Sequence, residues 1–199
     1  RRHTAVDGAD DQVMPLPSGR YLFCPLQVPT DTQGTVYGGW SKTMEAMITA
    51  LHEASRHLPP KWHLRIKEHP SSKVQIGDRL QACQDDRFVI SNDEDVFDQV
   101  AGSEGVVTLN SSVGLQAFFF EKPVVVLGEA VFGFSPLVTP AASSESLNAI
   151  AREPESIDFA PRVRNAFMNY LRSEYFLKAD LSRPFSLDEK NIRKITQWL

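Results

Sequence analysis

The segment that most restricts the fold is Pro123-Val124-Val125-Val126-Leu127-Gly128. Three consecutive valines stiffen the backbone toward the extended form. The run has no polar side, which is the pattern of a central parallel strand covered on both faces. Parallel strands need long crossovers, usually helices, and the rest of the chain supplies them. Residues 21–27, 62–67, 87–90 and 105–109 read as further strands. Pro25 marks either the end of the first strand or an edge position. Met44, Met47, Ile48, Leu51 and Ala54 recur at helical spacing after Ser41, a candidate cap, and Pro59-Pro60 closes that helix. Shorter helices are expected over 76–83, 93–100, 112–118 and 144–151, with longer ones over 161–177 and 186–199. This alternation predicts an α/β open parallel sheet with helices on both faces.

The 199 residues suit one such domain, spanning 21–199 behind a polar tail or linker at 1–20. A net charge of -4 and a pI near 5.7 argue against nucleic acid as a partner. Any anion bound here must be held by a few local donors. Cys24 and Cys83 form no CxxC pair and no cluster with histidine, so neither a metal site nor a disulfide is expected. Reduced thiols in a cytoplasmic protein are the simpler reading. No apolar run approaches the roughly 20 residues of a spanning helix, and residues 1–11 lack the core of a signal peptide. The first residue is Arg1 rather than methionine, so a cut fragment or a processed chain is expected.

Ligands of open parallel sheets gather at the carboxyl ends of the strands. The first strand runs into Gln27, Asp31 and Gln33, the second into Lys67-Glu68-His69-Pro70, the third into Ser91-Asn92-Asp93-Glu94, and the fourth into Asn110-Ser111-Ser112. A strand-to-helix turn bearing hydroxyls suits phosphate, although Asn and Ser are equally the favoured helix caps. Pro70 holds His69 out of the helical region, and strand alternation would place Lys67 and His69 on one side with Glu68 opposite. A histidine packed in a loop beside a solvated lysine fits the same residues. Gln27, Asp31 and Gln33 could read sugar hydroxyls or act as acid or base, or simply build turns. Gly38-Gly39 permits a close backbone approach.

Other chemistries fit less well. There is no GK[ST] and no G-x-G-x-x-G, so neither a P-loop nor a dinucleotide cofactor is indicated. Ser112 sits where a nucleophile elbow would place it. Asn110 occupies the position that needs glycine, however, and His69 precedes the serine, opposite to the order of that fold.

Several blocks, in order, resemble the bacterial capsule polysaccharide biosynthesis family over roughly residues 21–140. They are Phe23-Cys24-Pro25-Leu26-Gln27 with Asp31 and Gln33, then Lys67-Glu68-His69-Pro70, then Thr108-Leu109-Asn110-Ser111-Ser112-Val113-Gly114-Leu115-Gln116-Ala117, then Lys122-Pro123-Val124-Val125-Val126-Leu127-Gly128. The Asn-Ser-Ser block is the most specific. Well-understood members are retaining β-Kdo transferases that use CMP-Kdo, built from two Rossmann-like domains in the GT-B arrangement. They share a His-Pro motif and a serine pair with bacterial sialyltransferases.

The resemblance implies a single GT-B-type half-domain, the C-terminal donor-binding half. His69, held by Pro70, would contact the CMP phosphate and assist departure of the nucleotide, with Asp31 as a second catalytic group. Lys67 would lie against the cytosine or phosphate. Asn110, Ser111 and Ser112 would hold phosphate oxygens. Asp93 or Glu94 would bind the ribose hydroxyls, and Gln27, Asp31 and Gln33 would face the sugar or acceptor. The implied partners are a nucleotide-sugar, a glycan acceptor, and a missing N-terminal domain or a partner protein. No cofactor is implied beyond the CMP-sugar donor. The expected location is the cytoplasm, with attachment at the inner face of the inner membrane as a variant. The alternative function is a non-catalytic module in polysaccharide assembly or export that acts through protein partners.

Overall fold

The computed structural model describes residues 16–28, 37–70 and 76–175. Six strands form one sheet: β1 (Arg20–Pro25), β2 (Trp62–Lys67), β3 (Phe88–Ile90), β4 (Gly105–Thr108), β5 (Val124–Val126) and β6 (Thr139–Pro140). Their order is β3-β2-β1-β4-β5-β6, and every pairing is parallel. This is the expected α/β open sheet, with β6 added at one edge. Two residues of strand ending in proline are too short to show a period, which is why the sequence did not reveal it.

The helices are α1 (Met44–Ser55), α2 (Gly77–Cys83), α3 (Val96–Gly102), α4 (Val113–Ala117), α5 (Ser144–Arg152) and α6 (Pro161–Tyr170). They divide between the two faces. Leu22, Cys24, Leu64, Ile66, Val107 and Val125 point to the core shared with α1, α2 and α5. Tyr21, Phe23, Val106, Val124 and Val126 point to the core shared with α3, α4 and α6. The two sets alternate along each strand, as the pleat requires. Arg164 of α6, only 8% exposed, ties its helix down by donating to the Phe118 carbonyl at 3.1 Å and pairing with Glu121 at 3.2 Å.

Several local expectations are corrected. The valine run is buried and paired on both sides, as expected, but β5 lies one strand away from the middle pair, β1 and β4. Pro25 ends a central strand, so the edge reading fails. Ser41 does not cap α1. Thr43 does, its Oγ1 accepting from the Ala46 N–H at 3.1 Å, while Ser41 is buried. The helix expected over 93–100 begins at Val96, capped by Asp95. The expected C-terminal helix at 186–199 lies outside the described residues, as does most of the tail at 1–20.

Two glycines let the loop before α1 lie against the exit of β5. Gly39 has a φ of 60°, and a Cβ there would stand 3.0 Å from the Leu127 carbonyl oxygen. A Cβ on Gly128 would stand 2.5 Å from the Tyr37 carbonyl oxygen, the same oxygen that accepts from the Glu129 N–H at 2.8 Å. Gly128→Ala therefore has to push two backbones apart. A loss of about 1–3 kcal/mol in urea-unfolding stability is expected; an unchanged midpoint would show that the contact yields freely.

His63 of β2 is 2% exposed and stacks on Tyr21 with ring centroids 5.5 Å apart. Arg65 lies over the Tyr21 ring at 3.7 Å and brings its guanidinium 3.5 Å from the His63 Nε2. Burial, and then the Arg65 charge, lower the His63 pKa from 6.5 to about 4. The unfolded chain therefore takes up this proton before the folded one. The histidine's contribution to stability is intact above pH 6.5 and is lost as pH falls toward 4. Between pH 6.5 and 5 stability should fall by up to about 1.4 kcal/mol per pH unit from this group. Denaturant titrations at several pH values should show this slope in the wild type and not in His63→Phe.

Candidate functional site

Because all strands run the same way, the ends of β1, β2, β3 and β4 leave the sheet at one edge. Connections depart in opposite directions between β1 and β4, which opens a crevice there. A cleft of about 550 Å³ lies at this edge. Lys67, Glu68, His69 and Pro70 line it from the end of β2, and Asp93, Glu94, Asp95, Val96 and Phe97 from the turn into α3. Ser111, Val113 and Gln116 line it from the turn into α4, with Pro25 and Leu26 beneath.

Each wall is held by specific bonds. Lys67 Nζ donates to the carbonyl of Asn92 and, at 2.7 Å, to that of Glu94. Asn92 exchanges two bonds with Glu68: its Oδ1 accepts from the Glu68 N–H at 2.9 Å, and its Nδ2 donates to Glu68 Oε1 at 2.9 Å. From beneath, Gln99 of α3, 2% exposed, donates through Nε2 to the carbonyls of Ser91 at 3.0 Å and Glu94 at 3.2 Å. The turn that presents Asp93 and Glu94 is thus clamped from two sides. Asp95 closes it by accepting from the Phe97 N–H at 2.7 Å and the Asp98 N–H at 3.3 Å.

The fourth strand end is shaped by its hydroxyls. The Ser111 N–H donates to Thr108 Oγ1 at 3.1 Å, and Ser111 Oγ accepts from the Val113 N–H at 3.3 Å. Ser112 holds the N-cap position of α4 without a side-chain capping bond. Across the crevice, Gln27 Nε2 donates to Asn110 Oδ1 at 2.8 Å, joining the exits of β1 and β4. Asn110 Nδ2 also reaches the Tyr37 carbonyl at 3.4 Å.

The fold therefore brings Lys67, His69, Pro70, Asp93, Glu94 and Ser111 to one cleft, from segments far apart in sequence. Gln27, Asn110 and Ser112 do not line it: Gln27 and Asn110 brace the crevice beside it, and Ser112 is exposed. Asp31 and Gln33 lie outside the described residues. Glu68 lines the cleft together with Lys67 and His69, so the expected alternation does not extend past β2. That strand ends at Lys67, and the pleat ends with it. Gly38-Gly39 supports the β5 exit and is not part of the cleft lining.

Phe97 and Gln116 line the cleft as well. Phe97 falls within the helix expected over 93–100, and it is 47% exposed. Gln116 sits one helical turn after Ser112, and its buried Oε1 has no hydrogen-bond partner among the described residues. Spacing from the Asn-Ser-Ser turn could have flagged it.

Chemically, the cleft offers carboxylates for hydroxyl groups along one wall and an imidazole with a serine hydroxyl on the others. Both cysteines are buried and free. Among the described residues no group of His, Cys, Asp and Glu could hold a metal ion, and no helix is long and apolar enough to cross a membrane.

Comparisons with known proteins agree with this architecture. Protein FixF of Sinorhizobium fredii is 30% identical over 166 residues, which are 82% of this chain and 40% of FixF. The capsule polysaccharide export protein KpsS of Escherichia coli is 26% identical over 59% of this chain and 32% of its own length. The chain thus spans less than half the length of these relatives. Among solved structures, the β-Kdo 2,7 transferase of Thermosulfurimonas dismutans KpsC superposes with a TM-score of 0.51 at 18% identity. It covers 78% of this chain and 56% of that one, and shows the shared Rossmann-like fold of a GT-B half. Residues 4–176 match the capsule polysaccharide biosynthesis protein family, and the chain belongs to that family.

Proposed function

We propose that this chain forms the donor-binding half of a cytoplasmic capsule polysaccharide glycosyltransferase, taking a CMP-sugar of the CMP-Kdo type. The observation that carries this reading is the convergence of His69, Ser111 and the clamped Asp93-Glu94 turn on one cleft at the crevice of the sheet. The carboxylates suit the vicinal hydroxyls of a ribose. His69 and Ser111 suit a phosphate, and donors placed on a leaving phosphate gain strength as its charge develops. An imidazole there can also deliver a proton to the departing nucleotide. Lys67 enters mainly as a clamp, since two of its ammonium protons already serve backbone carbonyls. The glycan acceptor and the remaining catalytic groups, Asp31 among them, would meet the donor from the facing side, supplied by a second domain or a partner protein.

Titration with CMP and UDP, read by calorimetry or NMR, tests the reading. CMP should bind the chain, and His69→Ala should weaken it by about 10- to 100-fold, the worth of one hydrogen bond to a charged group. Ser111→Ala should cost less, about 2- to 10-fold, in line with a neutral hydrogen bond. No perturbation by either nucleotide at millimolar concentration would remove the donor-site reading.

Glu94→Gln should weaken CMP but leave 2′,3′-dideoxycytidine monophosphate unaffected, because the lost acceptor serves only the ribose diol. An equal loss for both ligands would take Glu94 out of the ribose contact.

A second reading, a non-catalytic module in assembly or export, draws on KpsS, described as an export protein, and on exposed apolar side chains such as Phe119 and Val131. Capture of a tight protein partner by a chain that binds no nucleotide would favour it.

A further inference from the structure

We propose that Phe97 is the platform on which the planar base of the bound nucleotide stacks. This inference rests on the reading of the cleft as a nucleotide site and adds a residue and a contact to it. Phe97 is a large aromatic left 47% exposed on the wall of a cleft whose polar groups include Lys67, His69, Asp93 and Glu94. Its neighbours on α3, Gln99 and Val100, are buried, so the helix had apolar cover available and did not use it for this ring. The ring is nonetheless held in place. Its backbone N–H donates to Asp95 Oδ1 at 2.7 Å, fixing the start of the side chain. Phe120 packs beside it, with ring centroids 6.2 Å apart and planes tilted by 33°. A ring fixed at its base and packed against a second ring can meet a ligand at little ordering cost.

The order of groups along the wall selects the ligand. Asp93 and Glu94, which suit a ribose diol, lie just before α3, on which Phe97 is the second residue, while Ser111 and His69 stand on other strand ends. A ribose over the carboxylates with its phosphate toward Ser111 and His69 leaves its base for Phe97. The cleft volume of about 550 Å³ accommodates a nucleoside monophosphate. Base-on-aromatic stacking contributes binding with little preference among bases, so Phe97 would set affinity for the nucleoside, and other groups the identity of the base.

The test compares CMP with ribose 5-phosphate on the full chain and on Phe97→Ala, with Phe97→Trp as the variant that keeps a stacking face. In the wild type, the H5 and H6 resonances of CMP should shift upfield on binding, as protons over an aromatic ring do. Phe97→Ala should lose that shift and bind CMP about 5- to 30-fold more weakly. Its affinity for ribose 5-phosphate should be unchanged, and Phe97→Trp should restore CMP binding. Unchanged CMP binding by Phe97→Ala, or an equal loss for ribose 5-phosphate, overturns the platform while the donor-site reading stands. A wild-type chain that binds neither ligand overturns both.

Discussion

The parallel pairing of β1 with β2 on one side and β4 on the other is the constraint on which the rest of the structure depends. Register aligns Pro25 with Lys67, and Leu22 with Gly105, so these strands end close to one level. Parallel direction then makes each chain exit on the same edge, and the opposite departure of the connections leaves a crevice there. The strands can pair this way because β1 and β4 are apolar on both sides and helices cover both faces. Every polar residue discussed for the cleft is placed by this arrangement.

Holding the crevice open has a cost that the chain meets with side chains. Where strands end, backbone carbonyls lose their ladder partners, and a buried orphan is expensive. Lys67 and Gln99 supply donors to the carbonyls of Ser91, Asn92 and Glu94, and Gln27 donates to Asn110 across the crevice. Residue types that suit ligand binding are here largely committed to shaping the walls. The cleft lining also includes Asp93, Glu94, His69, Ser111 and Phe97.

Much of this could be read before any coordinates. The valine run, the spacing of Met44, Met47, Ile48 and Leu51, and the polar strand ends indicated a parallel sheet with ligands at its carboxyl edge. Local chemistry misled where two positions offered the same group. Ser41 and Thr43 both carry a capping hydroxyl, and packing buried the first, leaving the second to cap. At Phe97 periodicity records only that the position is apolar. Whether it meets the core or a cleft depends on what packs over the helix.

The sequence by itself determined the elements and their hydrophobic faces, because period and side-chain shape act over a few neighbouring residues. It also determined which strand ends carry polar groups. Only the tertiary structure decided that β1 and β4, not the valine-rich β5, form the centre, and that Lys67, Glu94, Phe97 and Ser111 share one cleft. It also decided that Asn110 braces the crevice while Ser111 faces the cleft. The reason is that strand order and helix docking set distances between segments many residues apart, and no local pattern encodes them.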